Sequence, residues 1–204
     1  MSDSDELSVL AEATRYLFGS MRLVREADLS APTPCQGWDL RRLLRHLRGS
    51  LADVTDVLVV REFRGGPGTD PVAAVRDGIV DFLLASTSAP TAGRWCEIAG
   101  RSLPAKIVVY VGALEMVLHA WDIAEACRAG RAIPSDLASA LLRVSPPLAE
   151  AGLAGHVLAA PLPTPTTATP GDQLLALFGR RPIFRFSRTS SASPPGPGSG
   201  GGGT

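Results

Sequence analysis

The stretch that decides the fold is residues 112–126, GALEMVLHAWDIAEA. Its composition predicts a helix that is apolar almost all round and therefore buried in a protein core. It nevertheless contains Glu115, His119 and Asp122. At about 100° per residue these three side chains fall on one helix face, which is otherwise small and apolar. Because burying a charge without a partner is costly, a bound metal ion is one explanation for this face.

Composition excludes several classes of function. The 204 residues include 20 basic and 20 acidic side chains, so the formal net charge is zero and nothing favours capture of nucleic acid or of an anionic membrane. The three cysteines, Cys35, Cys96 and Cys127, form no CxxC pair, which argues against a cysteine zinc site or a disulfide framework. The acidic N-terminus lacks an apolar signal core, and no run approaches the roughly 18 apolar residues of a membrane span. We expect a cytoplasmic protein, a monomer or homodimer that acts on a small molecule.

Hydrophobic periodicity outward from this stretch predicts a series of helices. They are a first helix at 5–29, a second capped by Asp39, a third from Pro71 to about residue 85, a fourth from about 104 to 128, a fifth at 134–144 ended by Pro146 and Pro147, and a short last one closed by Gly179. Residues 86–103 predict an irregular connection in which Trp95 and Ile98 pack a small hairpin or lid, and 155–170 predict extended chain.

This pattern predicts an all-α protein, an up-and-down four-helix bundle with a short C-terminal helical extension. We assign residues 1–186 to the helical domain and residues 187–204, rich in Pro, Gly and Ser, to a disordered tail.

A metal site is compatible with this bundle. Glu115 and His119 are at i and i+4, about 6 Å apart between Cβ atoms, so both can reach one ion. His46 on the second helix can supply a third ligand. Two imidazoles and one carboxylate leave positions open, as in catalytic sites, and suit zinc best, with nickel and iron as alternatives. Asp122 would orient an imidazole or act as a base on a bound water. Spacing alone leaves a second interpretation open, since a Glu–His pair at i, i+4 is commonly a solvated contact.

Three blocks of sequence resemble a known family. TPCQGWDLRRLLRH, EMVLHAWDIAEA and GDQLLALFGR, in this order, resemble the actinobacterial branch of the DinB-like superfamily, the maleylpyruvate isomerase or mycothiol-dependent family, over most of residues 5–182. The resemblance implies a four-helix bundle and a divalent metal held by a histidine of the second helix and a Glu/His pair of the fourth. The matching positions are His46, Glu115 and His119.

The same resemblance implies a mycothiol-dependent S-transferase or isomerase, in which the metal activates a thiol for attack on a small electrophile. In that family the maleylpyruvate isomerases carry a further C-terminal domain, for which this chain leaves no room, so we expect a different reaction. Two alternatives stay open. One is a thiol-independent metal-dependent hydrolase or a tailoring enzyme of secondary metabolism. The other is a non-catalytic bundle that binds a ligand or partner and closes its metal site with a fourth ligand such as His156.

Other polar and aromatic residues have simpler interpretations. A cysteine before or after a helix is usually a packing residue, and this holds for Cys35 and Cys127. Trp38 and Trp121 are predicted to lie in the core or in a cleft wall. The arginines of the second helix are predicted to form a solvated face, and they are Arg41, Arg42, Arg45 and Arg48.

Overall fold

The computed structural model describes residues 3–59, 70–88, 91, 93–98, 101–154 and 159–181. Over these residues the protein is mostly helical, which confirms the all-α prediction. The elements are α1 (Asp3–Met21), α2 (Leu40–Val59), α3 (Pro71–Thr87), β1 (Trp95–Ile98), β2 (Arg101–Pro104), α4 (Ala105–Ala126), α5 (Ser135–Leu142), α6 (Ser145–Ala154) and α7 (Pro170–Leu177).

Helix α4 is the centre of the bundle. It packs against α1 on one side and α2 on another, while α2 also packs against α3 and a smaller α1–α3 contact closes the ring. Of its 22 residues, 17 are buried. The helix is long and apolar enough to meet the length and hydropathy criteria for a membrane span, but 83% of the relevant window is buried inside the protein. A core helix has the same properties, and burial of this extent is what the sequence of residues 112–126 predicts.

The Phe82 side chain of α3 reaches the backbone of α4 at Gly112. A Cβ atom at this position would lie 2.2 Å from Cζ of Phe82, a side chain that is itself fully buried. Glycine lets the phenyl ring reach the backbone of α4 one turn before Glu115. The phenyl ring of Phe82 therefore packs tightly against α4 on the face that carries Glu115 and His119.

The first helix ends earlier than predicted, at Met21 instead of residue 29. The backbone tightens as it leaves the helix, because the amides of Leu23 and Val24 bond to carbonyls three residues back. A separate 3-10 turn, Glu26–Asp28, follows. It is held by Arg25, whose backbone N–H and Nε both donate to Asp28. This local ion pair replaces the helix that periodicity alone predicted.

The predicted fifth helix, α5, ends at Leu142, close to the predicted residue 144, but Pro146 and Pro147 begin a further helix, α6, that was not predicted. They lie in the first turn of α6, where a missing N–H costs no intrahelical hydrogen bond. Ser145, at the start of this helix, donates to the carbonyl of Leu141 and joins α5 to α6.

The predicted hairpin is present. Strands β1 and β2 pair antiparallel, with Trp95 opposite Pro104. Trp95 is exposed and so does not pack the hairpin against the bundle. The assigned tail, 187–204, lies outside the described residues, and that assignment stays a prediction.

Candidate metal centre

The structure brings the three predicted ligands together. One nitrogen each of His46 and His119 and one oxygen of Glu115 lie within 4.8 Å of one another. Nε2 of His119 is 3.4 Å and Nε2 of His46 is 3.7 Å from the same oxygen, Oε2 of Glu115. The two imidazole rings stand nearly perpendicular, with centroids 5.1 Å apart. Both imidazoles therefore present a nitrogen to one point beside a single carboxylate.

Helix packing explains this convergence. Leu43 and Leu47 of α2 are fully buried, and they fix the rotation of α2 in the bundle. His46 lies between them at the edge of the apolar stripe, so it meets α4 at the border of the core instead of inside it. Glu115 and His119 need only the regular geometry of α4 to share one face.

Exposure falls steadily from one side of the cluster to the other. The side chains of His46 and Glu115 are 28% and 27% exposed, while those of His119 and Asp122 are 8% and 0% exposed. The cluster thus has a solvent-facing side and a sealed side. Such a site leaves room for a ligand from solution on the open side.

On the sealed side, Asp122 orients His119. Nδ1 of His119 lies 2.9 Å from Oδ2 of Asp122. Burial acts to raise the pKa of Asp122, but the charge of Arg180 and the hydrogen bond with His119 outweigh it and lower the pKa to about 2. Because the carboxylate is ionised and can only accept, Nδ1 of His119 is the nitrogen that donates. Its Nε2 then faces Glu115, as in metal sites in which a carboxylate orients the ligating histidine.

The charges of the cluster favour a bound cation. Burial opposes the charged forms, yet the interactions with Asp122, Cys35 and Glu115 hold the pKa of His119 well above its usual value. Burial likewise opposes ionisation of Glu115, but the imidazoles of His119 and His46 hold its pKa well below its usual range. Without a metal, a proton on His119 supplies the positive charge beside Glu115. A divalent cation between the same atoms would supply that charge instead.

Glu115 provides a direct test of whether a metal fits. Its Oε2 is buried and has no hydrogen-bond partner among the described residues, although two imidazole nitrogens lie close to it. Buried polar atoms are almost always satisfied, and those that are not call for an explanation such as a missing ion. Two nitrogens and one unsatisfied carboxylate oxygen are a donor set that suits a divalent transition metal. The residues present therefore fit the group that the sequence predicted.

Two residues on the sealed side were not predicted from the sequence to belong to the site. Arg180, which follows α7, contacts both carboxylate oxygens of Asp122, with Nη2 2.6 Å from Oδ2 and Nε 3.0 Å from Oδ1. Sγ of Cys35 donates to Oδ2 of Asp122 at 3.4 Å. The signal for Arg180 was available, because it is the last residue of the block GDQLLALFGR. Cys35 lies in the block TPCQGWDLRRLLRH, but it was interpreted as a packing residue, since a single cysteine before a helix usually is one.

A second group of possible ligands shares His119. Atoms of Cys35, His119 and Asp122 also lie within 4.8 Å of one another. In this group, however, the Asp122 carboxylate is already neutralised by the buried guanidinium of Arg180. A cation there would face that guanidinium at close range, which is unfavourable in a buried site. The arrangement thus favours the group that contains His46.

Trp38 and Trp121 occupy the two kinds of position predicted for them, a cleft wall and the core. The Trp38 ring meets His46 edge-on, with centroids 4.8 Å apart, and Trp121 is buried. Trp38 also lines a surface cleft of about 440 Å³, over which Arg42 stacks on the indole. A larger cleft of about 600 Å³ contains none of the clustered residues. None of the clustered residues lines the cleft at Trp38 either, but this cleft is linked to the candidate metal centre by the contact between Trp38 and His46. His156 lies outside the described residues.

Comparison with known proteins identifies one relationship. The family model described as the mycothiol maleylpyruvate isomerase N-terminal domain matches residues 10–124, which is more than half of the chain. The match includes His46, Glu115, His119 and Asp122 and ends before Arg180. No curated protein and no solved structure matches the chain.

Proposed function

The chain belongs to the mycothiol maleylpyruvate isomerase N-terminal domain family, within the DinB-like superfamily, and from this membership we propose that it is a metal-dependent enzyme that transfers a low-molecular-weight thiol, mycothiol in the first instance, to a small electrophile. The observation that supports this most is the convergence of His46, Glu115 and His119 on one point with an open side. The metal favoured is zinc, with nickel or iron as alternatives.

In this proposal the residues of the site would have the following roles. His46, Glu115 and His119 would hold the ion, and a bound divalent cation lowers the pKa of a coordinated thiol and supplies thiolate at neutral pH. The partly exposed side chains of His46 and Glu115 leave the approach from solvent open. Trp38 forms a wall shared by His46 and the adjoining cleft, where an electrophile would lie.

Asp122 has one of its two predicted roles in this proposal. Its side chain is fully buried, and both oxygens are engaged by Arg180 while Oδ2 also accepts from His119. A carboxylate in this position cannot readily reach a water or a substrate proton. We therefore assign Asp122 to the orientation of His119 and not to general-base catalysis.

Metal content tests the proposal directly. Freshly purified, unstripped protein should contain close to one transition-metal ion per chain, measured by elemental analysis. His46→Ala belongs only to the favoured ligand group and should abolish metal binding, whereas the matched control Cys35→Ala belongs only to the other group and should retain it. Protein without metal would refute the proposal, and loss in Cys35→Ala with retention in His46→Ala would move the site to the second group.

The thiol is tested separately. The metal-loaded protein should consume small electrophiles only when mycothiol or a surrogate thiol is present, with formation of one new carbon–sulfur bond per thiol consumed. Turnover that is unchanged when the thiol is omitted would instead identify a thiol-independent hydrolase or tailoring enzyme.

A further inference from the structure

We propose that Arg180 is a positioning residue of the metal centre, which clamps Asp122 so that His119 keeps Nε2 directed at Glu115. Arg180 lies beyond residues 10–124, the part of the chain that the family model matches. The sealed side of the site is therefore completed by the C-terminal segment. This inference rests on the proposed function, because it concerns the same ligands.

The contacts of Arg180 fix the carboxylate in two directions. Nε donates to Oδ1 at 3.0 Å and Nη2 donates to Oδ2 at 2.6 Å, a fork of two charge-assisted hydrogen bonds. Arg180 is 9% exposed and Asp122 is 0% exposed, so both side chains are shielded from bulk solvent. Without Arg180, the remaining partners His119 and Cys35 would both contact Oδ2 and leave Oδ1 unbonded, so the Asp122 carboxylate could rotate about its last torsion. The fork removes that freedom and keeps Oδ2 in front of Nδ1 of His119.

The end of α7 determines where Arg180 points. Gly179 has a positive φ of 72°, the left-handed conformation that favours glycine. Its N–H donates to the carbonyl of Ala176, and that of Arg180 donates to the carbonyl of Leu175, which together form a Schellman motif. Nη1 of Arg180 also donates to the carbonyl of Phe178. The backbone and the guanidinium of Arg180 are thus both held by hydrogen bonds to the end of α7, in addition to the contacts with Asp122.

Helix α7 is itself anchored to the bundle. It packs against α5, and its residues Leu174 and Leu175 are buried. Its start is capped by Thr169, whose hydroxyl oxygen accepts from the backbone N–H of Asp172. A rigid element therefore carries the clamp, which is what precise orientation of a ligand requires.

The sharpest experiment reads the hydrogen bond of His119 without a metal. The chain has three histidines, so selective ¹⁵N labelling gives a spectrum that His→Ala variants can assign. In metal-free wild-type protein the proton on Nδ1 of His119 should be observable and protected from exchange with water. In Arg180→Met it should exchange rapidly, and Arg180→Lys should be intermediate because one ammonium cannot bridge both oxygens. The matched control Arg143→Met removes an exposed arginine and should behave as wild type.

Zinc titration against a chromophoric chelator gives the second readout. Arg180→Met should weaken zinc binding by about 10- to 100-fold, the usual effect of removing a partner that orients a ligand. Should Arg180→Met fail to fold, Gly179→Ala serves in its place. It retains the guanidinium but strains the Schellman motif, because a Cβ would lie 2.5 Å from Cβ of Ala159. It should shift both readouts in the same direction.

The outcomes separate the two proposals. A protected Nδ1 proton in Arg180→Met, with zinc affinity within threefold of wild type, would overturn the positioning role. If wild-type protein shows the expected proton exchange pattern but binds no zinc, the proposed function fails while the clamp on Asp122 stands.

Discussion

Replacement of Gly112 by alanine tests whether the Phe82 side chain of α3 packs directly against the backbone of α4. An added Cβ would meet three atoms of the Phe82 ring, Cζ at 2.2 Å and Cε1 and Cε2 at 2.7 Å. Carbon atoms in a packed core lie about 3.5–4.0 Å apart, so the ring and the helix must separate by at least about 1 Å. Phe82 is 0% exposed, so its ring cannot relieve the overlap by turning out to solvent at its present position.

Two effects of opposite sign set the magnitude. An inserted methyl group in a tight core usually costs about 1–3 kcal/mol, and the depth of this overlap places Gly112→Ala near the upper end. Alanine is a better helix former than glycine by about 1 kcal/mol, which offsets part of that cost. We therefore expect Gly112→Ala to lower the free energy of unfolding by about 2 kcal/mol.

Urea denaturation followed by circular dichroism measures this difference, and Gly49→Ala is the matched control. Gly49 lies in α2, is exposed, and an added Cβ there would meet no atom within 4 Å. Only helix propensity acts at that position, so Gly49→Ala should raise stability by up to about 1 kcal/mol.

The double variant Gly112→Ala/Phe82→Leu identifies the cause. It should be more stable than the sum of the single changes by about 1 kcal/mol or more, since the smaller side chain removes the clash. Gly112→Ala as stable as wild type, or strictly additive with Phe82→Leu, would refute the reasoning from the Phe82 contact.

Two further predictions concern the sealed side of the site and its anchor. The pKa of Asp122 is held at about 2 in the folded protein, below the unfolded value of about 3.9, so ionised Asp122 stabilises the fold above about pH 4 and that contribution, roughly 2–3 kcal/mol, is lost as the pH falls towards 2. The difference between the urea midpoints of wild type and Asp122→Asn should accordingly shrink as the pH falls from about 5 towards 2, with roughly half of it left at pH 3, and a constant difference would contradict this. Thr169→Ala removes the hydroxyl that accepts from Asp172 at the start of α7, and it should cost about 1 kcal/mol in urea denaturation. No change in Thr169→Ala would show that packing alone holds α7.

Much of the fold was predictable from sequence because its signals are local. The apolar stripe of α2 predicted an amphipathic helix and the all-round apolar composition of α4 a buried one. The proline and glycine signals placed the start of α3 and the end of α7. The failures were also local. The first helix was predicted to continue past Met21, because periodicity does not register the Arg25–Asp28 ion pair. Pro146 and Pro147 were taken as an end, although proline equally suits a first turn.

The candidate site was likewise predictable from the sequence only in part. Glu115, His119 and Asp122 share a face for any α-helix of this sequence, since three and four residues make one turn. Spacing along one helix cannot supply His46, which was predicted as a ligand from the facing second helix of a bundle and then supported by the family resemblance. The sequence left open whether Asp122 orients or reacts, and its complete burial beside His119 favours orientation.

By itself, the sequence determined the all-α bundle, the buried character of residues 112–126 and the common face of a carboxylate and an imidazole. Tertiary structure alone decided that His46 meets that face, that Oε2 of Glu115 is buried without a hydrogen bond, and that Arg180 reaches Asp122 from 58 residues away. The physical reason is range. Helix periodicity and the start and stop signals of Pro and Gly act over one or two helical turns, whereas these contacts depend on how α2, α4 and the segment after α7 pack together.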